Sequence, residues 1–385
     1  MSMTPSDEGQ QEPRLPVTGS THDAEPRRVH FLLLPEFSMM GFVSAIEPLR
    51  VANRFRANSY QWRILSASGE PVIASNGMSL NADGPPCNPA DIHTVMVVAG
   101  FEPLAALTPA LAGWLRAARQ GGAVVGAVDT GVFVLAEAGV VGPGPVTLHW
   151  EAQAAFCERY PRIIVTQELF EIGPACITCA GGTAAIDMML ALIATRHGHA
   201  LAAQVSEQFV LGRIRSPSDH QRLEITARYR VHNRKIIQAI RLMQEHLEDP
   251  LESDDLARLV GVSRRQLERL FAAHLAQTPL DFYSSLRLER ARALLKQSDM
   301  GVIAVGIACG FCSPSHFSRS YRAKFGVSPK DDRSAPQRPP VLPVIAGADA
   351  GAPLRDSPTS IVADVPAPHR RRNAAGLRGA KDPSH

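Results

Sequence analysis

The sequence predicts two domains of different class. A doubly wound, flavodoxin-like α/β domain spans residues 27–215, and an all-α domain with two helix-turn-helix motifs spans residues 234–333. Three observations predict this. Short β-branched runs alternate with amphipathic stretches in the first half, as parallel strands covered on both faces require. Strand signals then stop after about Ser216. Beyond that point one helical pattern occurs twice, about fifty residues apart. At 385 residues the chain is also too long for one ordinary core.

In chain order, Val29-His30-Phe31-Leu32-Leu33-Leu34 reads as a buried strand closed by Pro35, and Met39 to Arg54 reads as a helix. Trp62 to Ser66 and Thr94 to Val98 follow as strands. Leu111 to Gln120 is helical in pattern, and Ala123 to Val128 is another fully buried strand. Ligands of such open sheets bind at the carboxyl ends of the strands. The polar stretch over residues 216–233 reads as a linker. Residues 1–26 and 334–385 read as disordered tails, rich in proline and without apolar periodicity. The basic run His369-Arg370-Arg371-Arg372 reads as a solvated part of the second tail.

Composition narrows the function classes. With 45% hydrophobic and 20% charged residues the chain reads as soluble and globular. No apolar run approaches the roughly 20 residues of a membrane span. The polar N-terminus does not resemble a secretory signal, so the expected location is cytoplasmic, with six reduced cysteines. The net charge of +3 does not by itself indicate a polyanionic partner. The distribution of charge does.

That distribution follows from the repeat. Leu256 to Ser263 is followed by Leu267, Phe271, Leu275 and Pro279, and Val305 to Cys312 by Phe317, Tyr321, Phe325 and Pro329. Each copy is a short apolar helix, a glycine turn, a polar N-cap and a second amphipathic helix, which is a helix-turn-helix arrangement. Gly261 and Gly310 fall where the first helix ends, and Ser263 and Ser313 suit the following N-cap. With the apolar positions on one face, the other face presents Arg264, Arg265, Glu268 and Arg269 in the first copy. In the second it presents Ser315, His316, Arg319 and Arg322. Arginine suits both bidentate reading of guanine and phosphate contact. A longer helix from Phe282 to Gln297 connects the copies, with Leu286, Ala291, Leu294 and Leu295 facing inward. The expected partner is double-stranded DNA, read at tandem major-groove sites.

The segment Gly310-Phe311-Cys312-Ser313-Pro314-Ser315-His316-Phe317-Ser318-Arg319, continued by Phe325-Gly326-Val327-Ser328-Pro329, resembles the signature of the AraC/XylS regulator family. The likeness covers about one hundred residues. It implies seven helices, two DNA-reading modules and control of transcription, usually activation, with RNA polymerase as a further partner. By matching positions it places Arg265, Glu268, Arg269, Ser315, His316 and Arg319 near bases. One departure concerns Lys330-Asp331-Asp332-Arg333, where the family usually has an aromatic residue before the arginine. That puts the packing of the last turn in question.

Phe31 to Ser38, Glu47 to Asn53, and Gly126 to Ala136 with His149-Trp150 following resemble PfpI-like, class I glutamine-amidotransferase-like domains. Joined to an AraC-type domain, this is similar to GlxA-like regulators, and within that group to regulators of glycine betaine, carnitine or arginine catabolism. The resemblance also implies a homodimer formed through the N-terminal domain.

In catalytic relatives of this domain a strand-to-helix elbow presents a nucleophilic cysteine. Here the equivalent position is Asp129. A carboxylate is a far poorer nucleophile than a thiolate, and His149 has no thiol to activate at this elbow. The domain is therefore expected to sense a ligand without catalysis and to need no cofactor. The alternative is an amidase- or glyoxalase-class enzyme fused to a DNA-binding module. As a ligand site, Asp129 favours a cationic group, and Trp150 or Phe37 offers an aromatic face for it. Thr130 offers a hydroxyl, His149 beside Trp150 is a further expected ligand residue, and amides at the next helix start suit a carboxylate. The expected effector is a small amine, betaine or amino acid. Asp129 equally suits a plain helix cap. Glu47 and Arg50 read as a structural helix pair. The pairs Cys176/Cys179 and Cys309/Cys312 lie about 130 residues apart, unlike a zinc ribbon, so no metal is expected.

Overall fold

The computed structural model describes residues 25–335, so the two expected tails lie almost wholly outside the described residues. Six strands form one sheet. They are β1 (Arg27–Leu33), β2 (Tyr60–Ser66), β5 (Thr94–Ala99), β6 (Val124–Asp129), β7 (Phe170–Ile172) and β8 (Cys176–Cys179). The order is β2-β1-β5-β6-β8-β7, parallel throughout except for the antiparallel edge strand β7. The short β3 (Val72–Ile73) and β4 (Ser79–Leu80) form a separate hairpin. This is the expected doubly wound sheet.

Alternation along the strands sorts side chains to two cores. Phe31, Leu33, Met96 and Val98 pack beneath α1 (Met39–Phe55), α5 (Ala184–His197) and α6 (His199–Gln208). Leu32, Leu34, Val95 and Val97 pack on the other face, under α2 (Pro109–Gln120), α3 (Val132–Glu137) and α4 (Gln153–Arg159). Because both faces are covered, the strands read as unbroken apolar runs.

The stretch over residues 216–233 is more than a connector. It contains α7 (Ile225–Tyr229), and Gln221 Nε2 donates to Thr147 Oγ1, Leu148 O and Glu168 O at 2.9–3.1 Å. Its polar residues are used in contacts with the α/β domain, which composition alone does not distinguish from solvation.

From Arg234 to Ser334 the chain is helical: α8 (Arg234–Glu245), α9 (Ser253–Val260), α10 (Arg264–Leu275), α11 (Pro279–Gln297), α12 (Val302–Ala308), α13 (Pro314–Phe325) and α14 (Pro329–Ser334). Over 234–335 this gives the seven helices that the resemblance implies. The long α11 serves two cores. Phe282, Tyr283 and Leu286 complete the first module, while Leu288, Ala291, Leu294 and Leu295 join Phe311, Phe317 and Tyr321 in the second. The second core is continuous with the α2–α3–α4 side of the sheet. The last turn is intact, and its missing aromatic is replaced by a buried carboxylate. Asp332 accepts from Tyr321 Oη at 2.7 Å and Arg292 Nε at 2.9 Å, and pairs with Lys296.

Candidate functional site

Strands β5 and β6 end side by side, with Ala99 opposite Asp129. Asp129 is held in the left-handed region at φ 65°, which a short polar side chain tolerates better than most. The turn at Gly181 covers its carboxyl so closely that a Cβ there would lie 2.6 Å from Oδ2. Burial pushes the Asp129 carboxyl up to about 7. A hydrogen bond from Ser38 opposes the shift, Glu151 adds repulsion, and the Thr130 amide donates. Asp129 does not cap the following helix: the N-cap of α3 is Gly131, with no side-chain cap.

The other expected ligand residues fall differently. Thr130 is buried and donates to Gly100 O at 2.6 Å, so its hydroxyl braces the loop after β5. The ring of Phe37 offers no face to a ligand. It lies fully inside the core, edge-on to Phe42, because the turn after β1 folds it under α1. His149 is part-exposed with Glu151 3.9 Å away, and burial holds its imidazole below the ordinary value against the pull of that carboxylate. Trp150 is 36% exposed, yet the Arg222 guanidinium already stacks on its ring at 4.1 Å. The aromatic face expected for a ligand cation is therefore occupied by the protein's own cation. Ser38, Glu151 and Arg222 escape a reading of the sequence. The first is itself the N-cap of α1 and the second adjoins Trp150, but nothing local marks Arg222.

Beside Thr130 and Trp150 lies a cleft facing α11, and Asp129, under Gly181, is not among the residues that line it. One part, of about 600 Å3, is lined by Gly100, Phe101, Thr130 and Phe133 and by residues 295–300. The other, of about 1220 Å3, is lined by Phe101, Trp150, Glu151 and Arg222 and by Arg290, Arg292 and Gln297. Phe101, Glu158, Lys296 and Gln297 border both, so the two are continuous.

The helix-turn-helix faces are formed as their patterns require. Gly261 and Gly310 are left-handed at φ 73° and 72° where the first helices end. Ser263 and Ser313 cap α10 and α13 by accepting from the Gln266 and His316 amides. Leu267, Phe271, Phe317 and Tyr321 are buried, and all eight expected DNA-contacting residues are exposed. Arg264 pairs with Glu268 at 3.1 Å, a lateral pair along α10. Arg265 and Arg269 rise from the same helix, as Ser315, His316, Arg319 and Arg322 do from α13.

Residues 27–195 match the DJ-1/PfpI family, and residues 256–335 match a helix-turn-helix domain. The chain is 58% identical to the HTH-type transcriptional regulator CdhR of Pseudomonas aeruginosa over 327 residues, 84% of this chain and 95% of that protein. It is 41% identical over 309 residues to the regulator GbdR of the same species, covering 80% and 84%. It is 35% identical over 320 residues to the regulator GlxA of Rhizobium meliloti, covering 81% and 97%. The chain belongs to the GlxA-like, AraC-family transcription regulators.

As a member of this family it is a DNA-binding regulator and not a PfpI-class enzyme. The elbow chemistry agrees, since Asp129 stands where a nucleophile would. Cys179 lies nearby, but burial pushes its thiol up to about 12, leaving no thiolate at neutral pH. Cys309 is likewise buried, with its thiol pushed up to about 12. Glu47 and Arg50 form an exposed pair at 2.7 Å along α1. No helix among the described residues is long and apolar enough to cross a membrane.

Proposed function

We propose that residues 27–215 sense a small cation or zwitterion, an amine, betaine or amino acid, in the cleft beside Asp129 and Trp150. One observation carries this reading: the site already holds a guanidinium, Arg222, against Trp150, with Glu151 next to the ring, and the Asp129 carboxyl, buried under Gly181, acts on it through its charge. An aromatic face flanked by carboxylates attracts cations generally. A ligand cation would take the place of Arg222 and release the segment that leads to α8.

On the DNA side, Arg265, Glu268, Arg269, Ser315, His316 and Arg319 read bases, and Arg264 and Arg322 hold phosphates, at two successive major grooves. The regulator works in the cytoplasm as a homodimer joined through the α/β domain, and it activates transcription through RNA polymerase. The exposure of these side chains on α10 and α13 supports the assignment, and the family supports the mode of action.

The test is thermal melting of the full chain against betaines, carnitine, arginine and other amino acids. A ligand at a hundred times its dissociation constant stabilises by ~2.7 kcal/mol. The reading requires at least one cationic or zwitterionic hit that Asp129→Asn weakens. Hits confined to anionic or uncharged compounds would refute it.

A further inference from the structure

The cleft has two walls, and only one belongs to the α/β domain. The other is the C-terminal half of α11, the helix whose apolar residues complete both DNA-reading modules. Two polar atoms on that wall are buried without a hydrogen-bond partner: Arg290 Nε, a donor, and Gln297 Oε1, an acceptor. Their neighbours are already matched. Arg292 and Lys296 pair with Asp332, and Glu289 pairs with Arg228 and Lys324. Buried polar atoms in native proteins are nearly always satisfied, so an orphan donor and acceptor lining one cleft ask for a partner.

We propose that the effector site is shared between the domains. Arg290 and Gln297 of α11 bind a carboxylate and an O–H or N–H of a zwitterion whose cationic end lies toward Trp150 and Glu151. The inference rests on the effector reading above and adds the second wall. It also narrows the ligand class. A carboxylate suits the Arg290 guanidinium, and a hydroxyl or ammonium beside it suits the Gln297 carbonyl oxygen. Glu151 and Glu158 border the cleft from the α/β side, with the basic residues of α11 facing them. A bound zwitterion therefore finds opposite charge at each end. Because α11 carries the cores of both modules, a ligand that bridges the two walls favours arrangements that keep α11 against the α/β domain, which is the differential affinity a ligand-driven change requires.

The experiment titrates the full chain by tryptophan fluorescence with four probes. Arginine and carnitine carry the carboxylate, while agmatine and choline are cationic counterparts without it. Arg290→Gln should weaken arginine or carnitine at least tenfold while leaving agmatine and choline within twofold. Unchanged binding of those two, with an unchanged circular dichroism spectrum, marks the fold as intact. Gln297→Met probes the same wall without removing a charge and should cost several-fold on the same probes. Wild-type affinity for arginine and carnitine in both variants, with loss of all four probes in Asp129→Asn, would overturn the shared site and leave the effector reading standing. If no probe binds the wild-type chain at millimolar concentration, and the betaines and other amino acids give no thermal shift either, the effector reading fails and the shared site with it.

Discussion

At the scale of single residues, Asp129 is the most informative. A reading of the sequence finds it, because a carboxylate at the end of an unbroken apolar strand has no place in a core. Its left-handed backbone, its cover by Gly181 and its raised pKa come from packing between β6 and a turn some fifty residues later, which no local pattern encodes. The raised pKa has two consequences. The folded state keeps the proton up to about pH 7, while the unfolded chain loses it near 4. The folded state thus binds more protons between these values, and this group's contribution to stability falls as pH rises through that window. Asp129→Asn should remove that slope and raise the melting temperature at pH 8 by a few degrees, read by calorimetry at pH 6 and pH 8. A cationic effector needs the carboxylate, so its affinity should be about tenfold weaker at pH 6 than at pH 8. The arginines of α10 and α13 give a second residue-level prediction. Arg265→Ala should relax sequence preference at one operator position by about 1–3 kcal/mol. Arg322→Ala should weaken every site alike and lower the salt slope by about 1, measured by titrating DNA at several salt concentrations. Equal losses on all sequences for both variants would sink the division of roles.

Whole elements were the most legible part of this chain. The strands of the sheet core and the paired helix-turn-helix units follow from periodicity and from glycine and serine at fixed offsets, since these signals are local. Less legible were α7 and the contacts of residues 216–233, because Gln221 and Arg222 look like any solvated polar pair until the fold brings Thr147 and Trp150 beside them. The last turn shows the same limit. Asp332 looks like a defect in the family pattern, yet it is buried and accepts from Tyr321, Lys296 and Arg292. Burial alone would raise its pKa, but together these partners bring it below the usual carboxylate range. This network ties α11, α13 and α14 together. Asp332→Ala should therefore destabilise the second module by about 2–4 kcal/mol, visible as a lower melting temperature. With a lowered pKa, the stability contributed by Asp332 is present above the unfolded carboxylate range and is lost as pH falls through its folded value.

At the scale of the molecule, the cleft beside Trp150 and the cores beneath α10 and α13 share one helix, α11. The hydrophobic core runs from the sheet through α11 into the second module, and Arg159 of α4 pairs with Asp299 just beyond α11 at 3.0 Å. That exposed pair contributes little by itself. The continuous core makes the domain arrangement a property of the whole chain, so effector and DNA should influence each other's binding. Linkage makes the effect reciprocal: whatever factor the effector imposes on DNA affinity, DNA imposes on effector affinity.

The most direct test is to select a DNA site from a random pool with the full chain. Its affinity is then measured with and without the zwitterion that gives the largest thermal shift, at pH 8. A change of about 5- to 150-fold in DNA affinity is expected, with the same factor on effector affinity when DNA is present. Identical DNA affinity at saturating effector would contradict the claim that the α/β domain senses a molecule to control DNA reading.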